Sequence, residues 1–148
     1  MIGNDIVDLI LAKTQSNWQR VGFLQKIFTL EEQQLILSSK NPDVMVWLLW
    51  SMKEAVYKIN NRQTGIRNFA PTSLKCNLDQ TTVLIGSQLY YTRSSINSNY
   101  IHTVSATSLG QLDKIKTFIY QSPQHPINYK NTNPESISHH GRYLALIF

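Results

Sequence analysis

VMVWLLWSMKEAVYK, residues 44–58, is a greasy run that ends in charge. Nothing polar occurs from Val44 to Trp50, and then Lys53, Glu54 and Lys58 follow in quick succession. Ahead of the run, Asn41-Pro42-Asp43 supplies an N-cap, a proline at the first helical position and an acid in the first turn, which predicts one long helix from 42 to about 60. Glu54 and Lys58 stand four residues apart, the spacing at which side chains meet one turn on. Two readings follow. The pair is an exposed salt bridge contributing roughly 0.3–0.5 kcal/mol, or Glu54 is held at the edge of a core because something binds there.

The N-terminal side supplies a strand. IGNDIVDLILA, residues 2–12, alternates roughly between apolar and polar side chains before a more apolar end, which suits a strand with one buried face and with Asp5 and Asp8 toward its end. A strand interior disfavours Asp, so Asp5 needs a reason to be there. SNWQ at 16–19 reads as a Ser-x-x-Gln capping box opening a short helix, and TLEE at 29–32 as a Thr-x-x-Glu box opening a second. After Gly65 the character changes. Segments near 73–78, 82–86, 88–93, 99–106 and 115–120 are rich in Val, Ile, Thr and Tyr and are separated by Gly, Asn, Asp and Ser, as antiparallel strands are. Residues 121–141 hold three of the five prolines and read as a long irregular connection in which His139-His140 is a loop pair, before a final strand, RYLALIF.

A chain of 148 residues with 42% hydrophobic and 16% charged residues can bury one core and reads as a single domain. The longest apolar run is too short to span a bilayer, and Asp5 and Asp8 break the layout of a signal peptide, so a cytoplasmic protein with no membrane partner is expected. The single cysteine, Cys76, permits neither an internal disulfide nor a zinc cluster. A net charge of +5 favours polyanionic partners, but the basic residues are scattered and carry no nucleic-acid-binding signature, so no nucleic acid is expected.

If Asp5 and Glu54 converge, they offer two hard oxygen ligands beside lysine. Mg2+ uses such a pair when phosphates and waters complete its shell. Sites of that kind serve phosphoryl chemistry. Four motifs then occur in order. Gly3-Asn4-Asp5-Ile6-Val7-Asp8 matches G-x-D-I-x-[ED], and Phe28-Thr29-Leu30-Glu31-Glu32 matches F-T-x-x-E. Trp50-Ser51-Met52-Lys53-Glu54-Ala55-Val56-Tyr57-Lys58 matches [WF]-[ST]-x-K-E-[AS]-x-x-K, and Val104-Ser105-Ala106-Thr107 matches V-S-x-[TS]. Over residues 1–120 the chain thereby resembles the 4'-phosphopantetheinyl transferases, with 121–148 an irregular extension of the same domain.

The resemblance implies an α+β fold, with helices packed on an antiparallel sheet, which agrees with the helices-then-strands order. It implies transfer of the 4'-phosphopantetheine arm from coenzyme A to a serine of an acyl or peptidyl carrier protein, with Mg2+ on the pyrophosphate and 3',5'-ADP as leaving group. By position Asp5 and Glu54 match the metal ligands, and Glu54 or a metal-held water is the base for the carrier serine. Lys58 matches the motif lysine on the cofactor phosphates, Lys53 the other motif lysine, and Ser105 the cofactor contact of the V-S-x-T strand. Val7 stands where longer members carry a third acid, which favours the short, holo-acyl-carrier-protein-synthase type. Short members have sites between subunits, so a homo-oligomer is expected, trimer ahead of dimer. Thr103 occupies the position where such enzymes carry a histidine, and His102, one residue away, is expected on the opposite strand face. The rival readings are a degenerate family member acting as a binding or assembly subunit, and a basic nucleic-acid-binding domain.

Overall fold

The computed structural model describes all residues, Met1–Phe148. A first antiparallel sheet has the order β1 (Ile2–Asp8), β5 (Tyr100–Ala106), β4 (Gln88–Ile96), β3 (Thr82–Ile85), β2 (Leu74–Cys76). A second, three-stranded sheet has the order β6 (Thr117–Gln121), β8 (Tyr143–Ile147), β7 (Ser136–His140). The helices are α1 (Leu9–Gln15), α2 (Phe23–Ile27), α3 (Leu30–Ser38), α4 (Pro42–Thr64) and α5 (Leu109–Lys114). No helix is long and apolar enough to cross a membrane.

The main core lies between α4 and the first sheet. Leu49, Met52, Val56 and Ile59, at the i, i+3, i+4 spacing of one helix face, meet Val83, Tyr90 and Ile101 there. The second sheet covers the opposite face through Ile2, Val104, Leu112 and Ile147 and through Ile6, Tyr143 and Ala145. Strand β1 is therefore buried along its whole length rather than on one face as its alternation suggested.

The free edge of β1 is satisfied by side chains. Its even-numbered residues turn their backbone groups outward, and the N–H groups of Asn4, Ile6 and Asp8 donate to Ser136 Oγ (3.1 Å), Ser138 Oγ (2.9 Å) and His140 Nδ1 (2.8 Å). The partners also ascend in twos, so β7 runs alongside β1 in the same direction, one side chain away, in a separate sheet. The outward carbonyls go to α4: Lys58 Nζ donates to Asn4 O (2.6 Å) and the Arg62 guanidinium to Ile2 O. A buried edge is thus paired without a backbone ladder. Reading residues 121–141 as wholly irregular is corrected here. Ser136, Ser138 and His140 form a period-two pattern that ends at the Gly141-Arg142 turn, where Gly141 takes φ +56° as a two-residue hairpin requires.

The TLEE capping box forms as expected. Thr29 N–H donates to Glu32 Oε1 (2.8 Å) and Glu32 N–H to Thr29 Oγ1 (3.2 Å), opening α3. SNWQ opens no helix. Asn17 Oδ1 accepts from Gln19 N–H, and the Trp18 indole is drawn inward to Asp43 Oδ1 (2.6 Å), which holds residues 16–19 as a turn. Residues 9–12, expected as the apolar end of the first strand, instead open α1, because Asp8 caps it: its Oδ1 accepts from Ile10 and Leu11 N–H.

Lys53 is not at a binding surface. It is fully buried, and its ammonium donates to Glu32 Oε1 (2.6 Å), Ile27 O (3.0 Å) and Pro71 O (2.8 Å), using all three of its protons. Glu32 Oε2 in turn accepts from Cys76 N–H (2.7 Å), so the pair ties α3, α4 and β2 together. The assignment of Lys53 to the cofactor is corrected accordingly. Removing one partner leaves an uncompensated buried charge, so Lys53→Met should lower the unfolding free energy by about 3–5 kcal/mol. Lys53→Met/Glu32→Gln should recover part of that loss in urea unfolding. A lysine that contacts ligand phosphates would instead leave stability near wild type.

The carboxylate of Asp8 also faces the hairpin turn, where Oδ2 accepts from Arg142 N–H (2.9 Å) and Nε (3.0 Å). Burial alone would raise its pKa, but the Arg142 guanidinium and the backbone N–H groups of Arg142 and Leu11 hold it down at about 2. An unfolded aspartate titrates near 3.9, so the Asp8 contribution is complete above that value and lost as pH falls toward 2. Because Arg142 is partly exposed, about 2 kcal/mol is expected. Asp8→Asn should be less stable than wild type by that amount at neutral pH, with the two converging between about pH 4 and 2.

Candidate active site

Strand β1 and helix α4 cross in near contact. A Cβ on Gly3 would collide with the carbonyl oxygen of Ala55 and lie 2.9 Å from Ser105 Oγ, so only glycine fits. Ser105 Oγ donates to the same Ala55 oxygen (2.9 Å), which pins β5 to α4. Ser105 is fully buried in this contact and is corrected from a cofactor-binding residue to a structural one. One turn earlier on α4, Ser51 Oγ donates to Asp5 O (3.4 Å). The crossing thereby sets Asp5 beside the helix turn that carries Glu54 and Lys58.

The structure does bring Asp5, Glu54 and Lys58 together. Asp5 is 9% exposed, and its Oδ1 accepts from Ser138 Oγ (3.3 Å) and lies 3.9 Å from Lys58 Nζ, while Oδ2 is buried with no partner. Burial raises the Asp5 pKa to about 6, against the opposing pull of the Lys58 charge and of the nearby Ser51 and Ser138 hydroxyls and Ile6 N–H. Burial also raises Glu54, and the Asp5 charge adds to it, bringing Glu54 to about 7. Burial pulls Lys58 below the usual ammonium range while both carboxylates oppose that.

The i, i+4 salt bridge of Glu54 with Lys58 does not form. Lys58 Nζ turns instead to Asn4 O (2.6 Å) and Ile137 O (3.2 Å), clamping β1 and β7 onto α4. Glu54 is left facing a cavity of about 270 Å³ that Asp5, Trp47, Trp50, Ser16, His139 and His140 also line. Ser16 and Trp47 are shared with a neighbouring hollow of about 740 Å³ beside α1 and the start of α4.

Sequence reasoning missed the contribution of β7. Ser138 touches Asp5, and His139 and His140, read as a loop pair, stand on a strand at the cavity wall. The alternation Ser136-x-Ser138-x-His140 before Gly141 was the available signal. His140 Nδ1 accepts from Asp8 N–H and Nε2 faces Gln15 Oε1 (3.2 Å), so the ring is the Nε2-protonated tautomer. His102 lies away from this site, on the face toward the second sheet. It is buried, with Nε2 3.1 Å from Asn4 Nδ2, and burial followed by the Lys58 charge lowers its pKa to about 4, so it stays neutral. Thr103, opposite Asp5 in the register, shares a hydrogen bond with Ser94 (2.8 Å).

Buried carboxylate oxygens are normally paired. An unpaired one beside a second carboxylate is what a bound cation would satisfy, and this donor set fits a hard cation better than a soft one. No group of three or more His, Cys, Asp or Glu side chains forms a complete metal cage in the chain.

No curated protein matches the sequence. Among solved structures, the holo-[acyl-carrier-protein] synthase of Neisseria meningitidis shares the fold, with a TM-score of 0.57 at 18% identity over 70% of this chain and 94% of that one. Residues 1–105, which carry the β1–α4 crossing and the Asp5, Glu54 and Lys58 cluster, match the family model of the 4'-phosphopantetheinyl transferase superfamily. The chain belongs to that superfamily and is a transferase of the phosphopantetheine arm from coenzyme A to a carrier protein.

Proposed function

We propose that Asp5 and Glu54 hold Mg2+ for this transfer, that the acceptor is a serine of an acyl or peptidyl carrier protein, and that 3',5'-ADP is released. The observation that carries the reading is the buried, unpartnered Oδ2 of Asp5, a residue that lines one cavity together with Glu54. A divalent ion held by Asp5 and Glu54 would supply charge neutralisation for the pyrophosphate of coenzyme A. The chain supplies the rest. Glu54, or a water held beside it, would accept the serine proton. That proton leaves as the serine Oγ bonds to the phosphorus bearing pantetheine and the bond from that phosphorus to the leaving 3',5'-ADP oxygen breaks. Lys58, fixed by two carbonyls beside Asp5, adds a cation to the field facing the phosphates. Trp47 and Trp50 wall the cavity with apolar surface, which strengthens these interactions by excluding water. Lys53 and Ser105 are spent on the core and take no part.

The net charge of +5 suits an acidic carrier surface, and a cytoplasmic setting remains our reading. For assembly we keep the homo-oligomer, trimer ahead of dimer, with one restriction. The outer edge of β1 is taken by β7, so a partner subunit docks elsewhere than on that edge. Sedimentation should show a species larger than the 17.0 kDa chain.

Mass spectrometry of apo carrier proteins incubated with the enzyme, coenzyme A and Mg2+ tests the function, and chelation should abolish the gain of the pantetheine arm. Asp5→Asn and Glu54→Gln should each abolish transfer. Both should keep or raise the thermal transition, because a neutral side chain escapes the burial cost that the charged one bears. Full transfer by either variant would remove that carboxylate from the site.

A further inference from the structure

We propose that β7 completes the catalytic cavity from within the same chain, with Ser138 as the positioning residue that orients Asp5 so that one of its oxygens is free to meet a metal. This rests on the reading of Asp5 and Glu54 as the metal-holding pair. β7 lies outside residues 1–105, the part that matches the family model.

The geometry of Ser138 is directional. Its Oγ accepts the Ile6 N–H (2.9 Å), which leaves its own proton for Asp5 Oδ1 (3.3 Å). Oδ1 is thereby held toward β7 and Lys58, and Oδ2 is the oxygen left over. A hydroxyl that engages a ligating carboxylate through its other oxygen fixes the carboxylate's rotation without touching the metal. The strand itself is held in place. Lys58 donates to Ile137 O and Arg62 to Glu135 O (2.9 Å), so two side chains of α4 grip β7 on either side of Ser136. His139 and His140, which follow Ser138, line the cavity together with Trp47, Trp50 and Glu54 of α4.

Ser136 provides the internal comparison. It occupies the equivalent position two residues earlier, accepts Asn4 N–H (3.1 Å) and donates to Asn4 Oδ1 (2.8 Å), but does not touch Asp5. Ser136→Ala and Ser138→Ala each strip one cap from the β1 edge, so a purely structural role predicts similar losses of thermal stability and no difference in metal binding. Positioning predicts a difference. Mn2+ titrated into the protein alone, followed by the loss of the free-ion paramagnetic resonance signal, should bind Ser138→Ala about 10-fold more weakly than wild type. Ser136→Ala should bind like wild type, and Ser138→Thr, which keeps the hydroxyl, should recover most of the affinity even if its extra methyl costs stability. Asp5→Asn is the reference for loss of the site. Mn2+ binding that is lost in Asp5→Asn but equal in wild type and Ser138→Ala would overturn the role of Ser138 alone. Binding that is absent in wild type, or unchanged in Asp5→Asn, would overturn the metal reading and this inference with it.

Discussion

The backbone contact between Gly3 and Ala55 is the constraint on which the rest of the molecule depends. A helix packed on a sheet through side chains sits near 10 Å away, but here one residue without a Cβ lets α4 approach much closer. At that distance a single stripe of the helix can service the strand directly. Ser51, Lys58 and Arg62 donate to the carbonyls of Asp5, Asn4 and Ile2 in reverse order, with Ala55 against Gly3 between them, so α4 runs antiparallel to β1. The polar stripe on an otherwise apolar helix exists to satisfy a buried strand before it does any chemistry.

What that stripe leaves undone, β7 finishes, and the site follows from how it does so. Because β7 bonds to β1 through side chains rather than through a ladder, the two strands stay apart by the length of a serine. The resulting gap is where Asp5 lies with one oxygen engaged and one free. Only two buried side-chain oxygens lack a partner, Asp5 Oδ2 and Thr92 Oγ1. An orphaned hydroxyl is a modest cost, whereas an orphaned carboxylate oxygen is a severe one, so the structure concentrates its unmet demand for positive charge at one point. The rise of Asp5 and Glu54 toward neutral pH expresses that same demand.

Much of this was legible. The long helix, the TLEE box and all five strands of the first sheet could be read because their signals are local: a cap, a period, a turn. The SNWQ box failed because Trp18 is worth more buried against Asp43 than exposed on a first helical turn, a tertiary preference that overrides a local one. Strand β7 was hidden in a tail crowded with proline and asparagine. Its inward residues are also polar, since they face backbone rather than core, and the apolar alternation that marks a strand is therefore absent. The convergence of Asp5 with Glu54 was legible only through the order of the motifs, because nothing in either segment alone announces the other.

The two motif lysines show why a motif fixes positions but not roles. Successive residues on an α-helix are turned by about 100°, so Lys53 and Glu54 cannot share a face, whereas Glu54 and Lys58 nearly do. One lysine must point toward α3 and the other toward β1. Lys53 finds there a glutamate, Glu32, already oriented by its capping bond to Thr29, and the pair becomes a rivet in the core. Lys58 finds carbonyls of two strands and an aspartate with an oxygen to spare. Motif position alone would give both lysines to the phosphates. Burial separates them, because an ammonium with no exposed surface and three filled donors has nothing left to offer a ligand, while Lys58 keeps 29% of its side chain open to the solvent.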